Sequence, residues 1–166
     1  YILNSISSRP EIKLGNYEEP YNLLTFDIQD AKASIMIYGI KDNSDMIKLY
    51  DEKGKEISVS DKIVISKPFA NKLGVKDGDD IKIKNKFTGE EYIIKIHKVA
   101  NLPVGNNGYM ELQSFNKIFG YKQNEYVGIF SQQKIDISMD LLFESYTKSE
   151  LLTTIKSSAQ DISKTI

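Results

Sequence analysis

The chain has 166 residues and a mass of 18.9 kDa. That suffices for one domain, or two small ones sharing an interface, hiding roughly 70% of the unfolded surface without staples. Twenty-two basic residues against 23 acidic leave a net charge of −1, so the basic excess of a general nucleic-acid binder is missing. With no cysteine and one histidine, the composition excludes disulfide scaffolds, thiolate zinc sites, cysteine nucleophiles and multi-histidine metal centres.

In chain order, Ile2, Leu3 and Ile6 give a short apolar face that predicts an incoming helix, stopped at Arg9-Pro10 because proline disfavours helix in the residue before it. Residues 16–22 (NYEEPYN) are polar and predict a flexible segment. Residues 33–40 (ASIMIYGI) are β-branched and aromatic and predict a strand. The turn cluster 42–45, a short strand over 46–50 and a hairpin-like loop over 51–55 follow. A strand over 63–65 leads to Ser66, a predicted cap for a short helix with Pro68 in its first turn, carrying Phe69, Ala70 and Leu73 and ending at Gly74. After a turn at 76–79, strands over 81–84 and 92–99 alternate isoleucine with polar residues and predict one wet face each. A strand ending at Tyr109-Met110, a helix over 112–119 closed by Gly120 and a strand over 125–130 complete this region. Residues 141–146 read equally as strand or helix.

Thr147 and Glu150 form a T-x-x-E capping pattern, and Leu152, Ile155, Ala159, Ile162 and Ile166 then fall at steps of three and four, one stripe of an amphipathic helix. No stop signal follows, and the chain opens on Tyr1, so it reads as an excised piece. No run approaches the ~20 apolar residues that span a bilayer. The expected class is α+β: mixed, mainly antiparallel short strands, two short helices and long amphipathic terminal helices, with no internal repeat. The expected organisation is one unit over 1–166, with subdomains 10–60 and 61–146 and a terminal helix over 147–166.

Polar residues that suggest chemistry have simpler explanations. Asp77, Asp79 and Asp80, like Asp42 and Asp45, cluster oxygens that a hard cation would want, but the glycine and glutamate of an EF-hand loop are missing. His97 sits on an alternating strand with no nucleophile elbow beside it. Ser66-Lys67 and Ser60-Asp61-Lys62 resemble serine–lysine pairs, in a chain so rich in lysine that such pairs arise by chance. Glu90 and Glu91 are adjacent and face opposite sides of a strand. Tyr17, Tyr21 and Phe26 suggest a peptide groove or core filling, and the loop 100–108, with Pro103, Gly105 and Gly108, is the predicted mobile contact. No catalytic residue, cofactor ligand or metal ligand is assigned.

One stretch carries a resemblance. The run KIVISKPFANKLGVKDGDDIKIKN from Lys62, its partner EEYIIKIHKVA and then NNGYMELQSFNKIFGY follow a fixed order of strand, helix, turn and strand. With Ile65-Ser66, Leu73-Gly74, Gly78-Asp79, Tyr109-Met110, Phe115 and Phe119-Gly120, and IYGIKDNSDMIKLYD before them, this resembles the MacB-type extracellular core domain of FtsX-like ABC transporter permeases over residues 33–130. The resemblance implies a non-catalytic domain at the outer face of the cell membrane, held by flanking transmembrane helices. Its implied partners are a cytoplasmic ATPase subunit, a second permease copy and a peptide, lipid or lipoprotein ligand; nucleic acid is not among them. The segment ISKPFANKLGVKDGDDIKIKN is also similar to the strand–helix–hairpin unit of double-psi β-barrels, found in molybdopterin oxidoreductases and in substrate-recognition domains of AAA ATPases. That alternative implies a recognition or cofactor-enclosing domain of a larger cytosolic enzyme, and a second copy of the unit would be expected.

Overall fold

A computed structural model describes residues 1–7, 12, 14–103, 105–147 and 149–150, with the side chains of 4–7 left aside. Its strands are β1 (Ile2–Ser7), β2 (Glu18–Ile28), β3 (Ser34–Ile40), β4 (Leu49–Tyr50), β5 (Glu56–Ile57), β6 (Ile63–Ser66), β7 (Asp80–Asn85), β8 (Glu91–Ala100), β9 (Asn107–Glu111), β10 (Tyr126–Ser131) and β11 (Leu142–Glu144). Its helices are α1 (Lys67–Leu73) and α2 (Leu112–Phe119). The expected α+β class is therefore corrected: the described chain is mostly β, with two short helices and no long terminal helix among the described residues. The residues expected to form an incoming helix are β1, because Asn4, Ser5 and Ser7 favour helix poorly and β10 offers a free edge, pairing Ile2 with Gly128. The stripe from Leu152 to Ile166 and the stop at Arg9-Pro10 lie outside the described residues. The capping pattern before the stripe forms: the Thr147 N–H donates to Glu150 Oε2 at 2.5 Å, and the Glu150 N–H to Thr147 Oγ1 at 3.2 Å.

Six strands close on themselves. β2 pairs β3, β3 runs parallel to β9, β9 antiparallel to β6, β6 parallel to β8, β8 antiparallel to β7, and β7 returns to β2. Inside lies one core, with Phe26, Ile35, Ile37, Ile63, Ile65 and Ile83 fully buried. β2 has two halves. Residues 22–28 belong to the barrel, whereas Glu18 to Tyr21 pair β10 and carry the ribbon β10-β1-β11 away from it. Pro20 sits in the half where only β10 is paired, so its missing N–H interrupts no second ladder. The predicted flexible segment 16–22 is thus largely strand.

The structure also contains an internal repeat where none was expected. β6-α1-β7 and β9-α2-β10 have the same order, and from the helix ends onward equivalent residues lie 46 apart, Gly74 against Gly120. Phe69, Leu73, Lys76 and Asp79 correspond to Phe115, Phe119, Lys122 and Glu125. Several bonds of the turns repeat. Val75 and Tyr121 donate backbone N–H groups to Ala70 and Asn116 carbonyls, at 3.0 and 2.8 Å. The backbone N–H of Lys76 donates to Asp79 Oδ2 at 3.0 Å, and that of Lys122 to Glu125 Oε2 at 2.7 Å. Gly74 and Gly120 end their helices at φ +68 and +79, a left-handed conformation that side chains resist.

Candidate functional site

The acidic clusters are structural turns. Asp77 accepts from the Val99 N–H at 2.8 Å and pairs with Lys98 at 3.2 Å; Asp80 pairs with Lys95 at 2.9 Å. Asp79 closes its own turn. Ser44 turns inward and donates to the carboxylate of Glu19, a residue only 2% exposed, which also accepts from the Asp45 N–H at 2.9 Å. This carboxylate fixes the loop before β4, and the polar segment around it gave no sign in the sequence that Glu19 is buried.

The nucleophile-like pairs separate. Ser66 is fully buried, accepts from the Phe69 N–H at 3.3 Å as the cap of α1, and donates to the Gly105 carbonyl at 2.7 Å. Lys67 turns away to Glu52 at 3.1 Å. Ser60 Oγ accepts from the Lys62 N–H. His97 lies at a bulge, where Ile63 and Val64 of β6 register with Ile96 and Lys98. Glu90 accepts from the Tyr92 hydroxyl at 2.8 Å, while Glu91 faces solvent. The loop 100–108 is anchored at Asn101, whose N–H reaches the Tyr50 carbonyl, at Gly105 by Ser66, and at Asn106, whose carbonyl accepts from Met36.

Tyr17, Tyr21 and Phe26 do not form a groove. Tyr17 is exposed, Phe26 fills the core, and Tyr21 joins a row of rings across four strands. Along it, centroids run Phe130 to Tyr21 at 4.2 Å, Tyr21 to Tyr38 at 6.0 Å and Tyr38 to Tyr109 at 5.5 Å. The β4–β5 hairpin covers the Tyr109 end through Leu49 and Ile57. Burial, then the neighbouring Tyr38 hydroxyl, pushes the Tyr21 phenol up to about 12. Burial raises Tyr38 and Tyr109 as well. The sign follows from linkage: unfolding releases Tyr21 to ionise near 10, so its contribution is complete below pH ~10 and lost as pH rises toward 12. Alkaline titration followed by tyrosinate absorbance should show Tyr21 ionising after the exposed tyrosines, together with loss of structure. Tyr21→Phe should ease that alkaline loss.

Several surface grooves remain among the described residues. One, about 460 Å³, is bordered by Asp51, Glu52, Lys53, Lys67, Asn71 and Asp77. Its charges neutralise one another through Lys67–Glu52 and Lys98–Asp77. A second, about 360 Å³, has an apolar side of Ile28, Ala31, Leu73, Val75, Ile81 and Ile93 and a charged side of Asp30, Asp80 and Lys82. No family model matches the chain, and no curated protein matches it. Among the described residues there is no cluster of three or more metal-ligating side chains, and no helix long and apolar enough to cross a membrane.

The ends of the fold have a definite geometry. The Tyr1 ammonium donates to the Ile129 carbonyl at 2.9 Å, and burial lowers its pKa. β1 pairs antiparallel with β11, Ile2 opposite Glu144. The incoming and outgoing strands are neighbours in one ribbon, remote from both grooves in the topology.

Proposed function

We propose that the chain is a non-catalytic extracytoplasmic domain of an ABC transporter permease, coupling ATP hydrolysis in a separate cytoplasmic subunit to export, extraction or sensing of a peptide, lipid or lipoprotein. The observation that carries this reading is the pairing of β1 with β11. A domain whose two chain connections leave side by side suits insertion between two membrane-crossing segments. Displacement of those segments would reach the barrel through one hydrogen-bonded ribbon, in the manner of a rigid-body transition. The order of elements over residues 33–130 supports the same family, at the level of analogy.

The test uses the absence of cysteine. Phe143 is 70% exposed on β11, so Phe143→Cys in the parent protein, any other cysteines replaced, offers one accessible thiol. A membrane-impermeant maleimide should label it in intact cells. Labelling only after lysis overturns the proposal.

A second reading is favoured by the repeat. The duplicated strand–helix–strand units, with β3 parallel to β9 and β6 parallel to β8, support the double-psi comparison, for which a second copy of the unit is expected. As a function, it makes the chain a recognition or cofactor-enclosing domain of a cytosolic enzyme. Thiol labelling confined to lysed cells is its expected outcome.

A further inference from the structure

The two halves of the repeat differ beside the ends of their helices. At the end of α2, Phe119 meets Tyr92 edge-on at 5.0 Å and Phe26 at 4.9 Å, and Tyr121 follows it. Superposing β6 on β9 and β3 on β8 sets the buried Ile35 and Ile37 against Ile94 and Ile96, so Ala33 occupies the position of Tyr92. Leu73 and Val75 occupy those of Phe119 and Tyr121. The half with small residues holds the 360 Å³ groove, with Ile93 at its border 69% exposed.

The same molecule carries an aromatic side chain with nothing around it. Phe87, 84% exposed, stands on the β7–β8 turn. The turn is preformed: the buried Asn85 side chain accepts from the N–H groups of Phe87 at 2.9 Å and Thr88 at 3.1 Å. Along the outward face of this hairpin, cross-strand neighbours are Asp80 with Lys95, Lys82 with Ile93, and Lys84 with Glu91. Turned end for end about an axis through the Lys82–Ile93 pair and laid on itself, that pattern is complementary. Asp80 meets the second copy's Lys84, Lys95 meets its Glu91, and Ile93 meets Ile93. The like pair, Lys82 on Lys82, shares the groove border with Asp30.

We propose that the outward face of the β7–β8 hairpin is a twofold interface with a second copy of this chain, each Phe87 seating in the other's groove. Phe87 stands on the turn just beyond Asn85, where β7 ends, so the same rotation carries it to the Asp80 end of the second copy, and Asp80 borders the groove. The contact is isologous and closes at two copies. One hairpin face is at the small end of interface sizes, so association is weak and concentration-dependent. The charged pairs flanking Ile93 make it weaken with salt. This proposal is independent of the permease reading, since it concerns the chain alone.

Sedimentation of the 166-residue chain across a concentration series should show mass rising from one copy toward two, and falling back in high salt. Ile93→Lys and Phe87→Ser, both on exposed side chains, should keep the circular dichroism spectrum and abolish the rise. Ile93→Cys places two thiols at the axis and should oxidise to a covalent dimer well ahead of Phe143→Cys on the distant ribbon. A chain that stays monomeric, a dimer indifferent to Ile93→Lys, or equal cross-linking of the two cysteines overturns the proposal.

Discussion

Phe115→Ala should cost about 3–5 kcal/mol, as for fully buried aromatic deletions, a large part of the ~5–15 kcal/mol that holds a domain of this size. The ring is fully buried, crosses Phe119 at 4.8 Å and stacks beside Tyr121 at 6.3 Å. It also rests directly on backbone. A Cβ added at Gly39 would lie 2.7 Å from both Cβ and Cγ of Phe115. β3 carries glycine there because α2 packs onto the strand too closely for any side chain. Gly39→Ala should therefore cost about 1–3 kcal/mol by overpacking. The two substitutions occupy the same space, so the double variant should be less destabilised than the sum, its new methyl filling part of the cavity. Chemical denaturation of the four proteins measures this. Strict additivity would mean that the strand and ring do not confine one another.

The equivalence of Phe115 with Phe69 explains what the sequence could and could not disclose. Helix boundaries were legible because their determinants are local: Ser66 caps, Pro68 occupies the first turn, and Gly74 and Gly120 take positive φ. Alternation at Ile81, Ile83, Ile94 and Ile96 was legible because one barrel face is wet. β2 was not. It reads as polar because Glu19 and Asn22 are buried by partners 25 and 94 residues away, Ser44 and Asn116, and no local pattern encodes such bonds. β1 failed for the same reason: a strand completed by β10 needs no periodicity of its own. The repeat was hidden because its identities are few and its second cap differs. Ser66 becomes Glu111, which makes no side-chain cap bond, while Asp79 becomes Glu125 and keeps its bond. Among the candidate polar sites, the capping role of Ser66 and the turn role of Asp79 were legible, because both bonds are local. The 360 Å³ groove was invisible, because residues as far apart in the chain as Ile28, Leu73 and Ile93 come together to line it.

The second large effect is expected at Asn116→Leu. Asn116 is fully buried in α2, its side chain reaching the loop that joins α2 to β10. Its Nδ2 lies 3.0 Å from the Lys122 carbonyl, 3.2 Å from that of Gln123 and 3.0 Å from that of Glu125, and its Oδ1 accepts from Asn22 Nδ2 at 2.5 Å. With two hydrogens, Nδ2 satisfies two of these carbonyls at a time. Leucine has similar volume and satisfies none, so the buried Asn22 amide loses an acceptor and the Gln123 carbonyl loses its donor, at about 1–3 kcal/mol each, while the carbonyls of Lys122 and Glu125 keep the Glu125 N–H and Asn22 Nδ2. The repeat supplies a control. Ala70 stands at the equivalent place in α1 and holds its turn by backbone bonds alone, so Ala70→Leu tests bulk without loss of a donor. Asn116→Asp separates polarity from volume. Its carboxylate would face carbonyl oxygens, which raises its folded pKa above the unfolded value of about 4. That variant should be most stable below pH ~4 and lose stability as pH climbs through the raised value, whereas the parent's Tyr21 loss begins only above pH ~10. Unfolding free energies measured between pH 3 and 8 decide it: a variant as flat as the parent over that range would show that the loop carbonyls do not depend on Asn116.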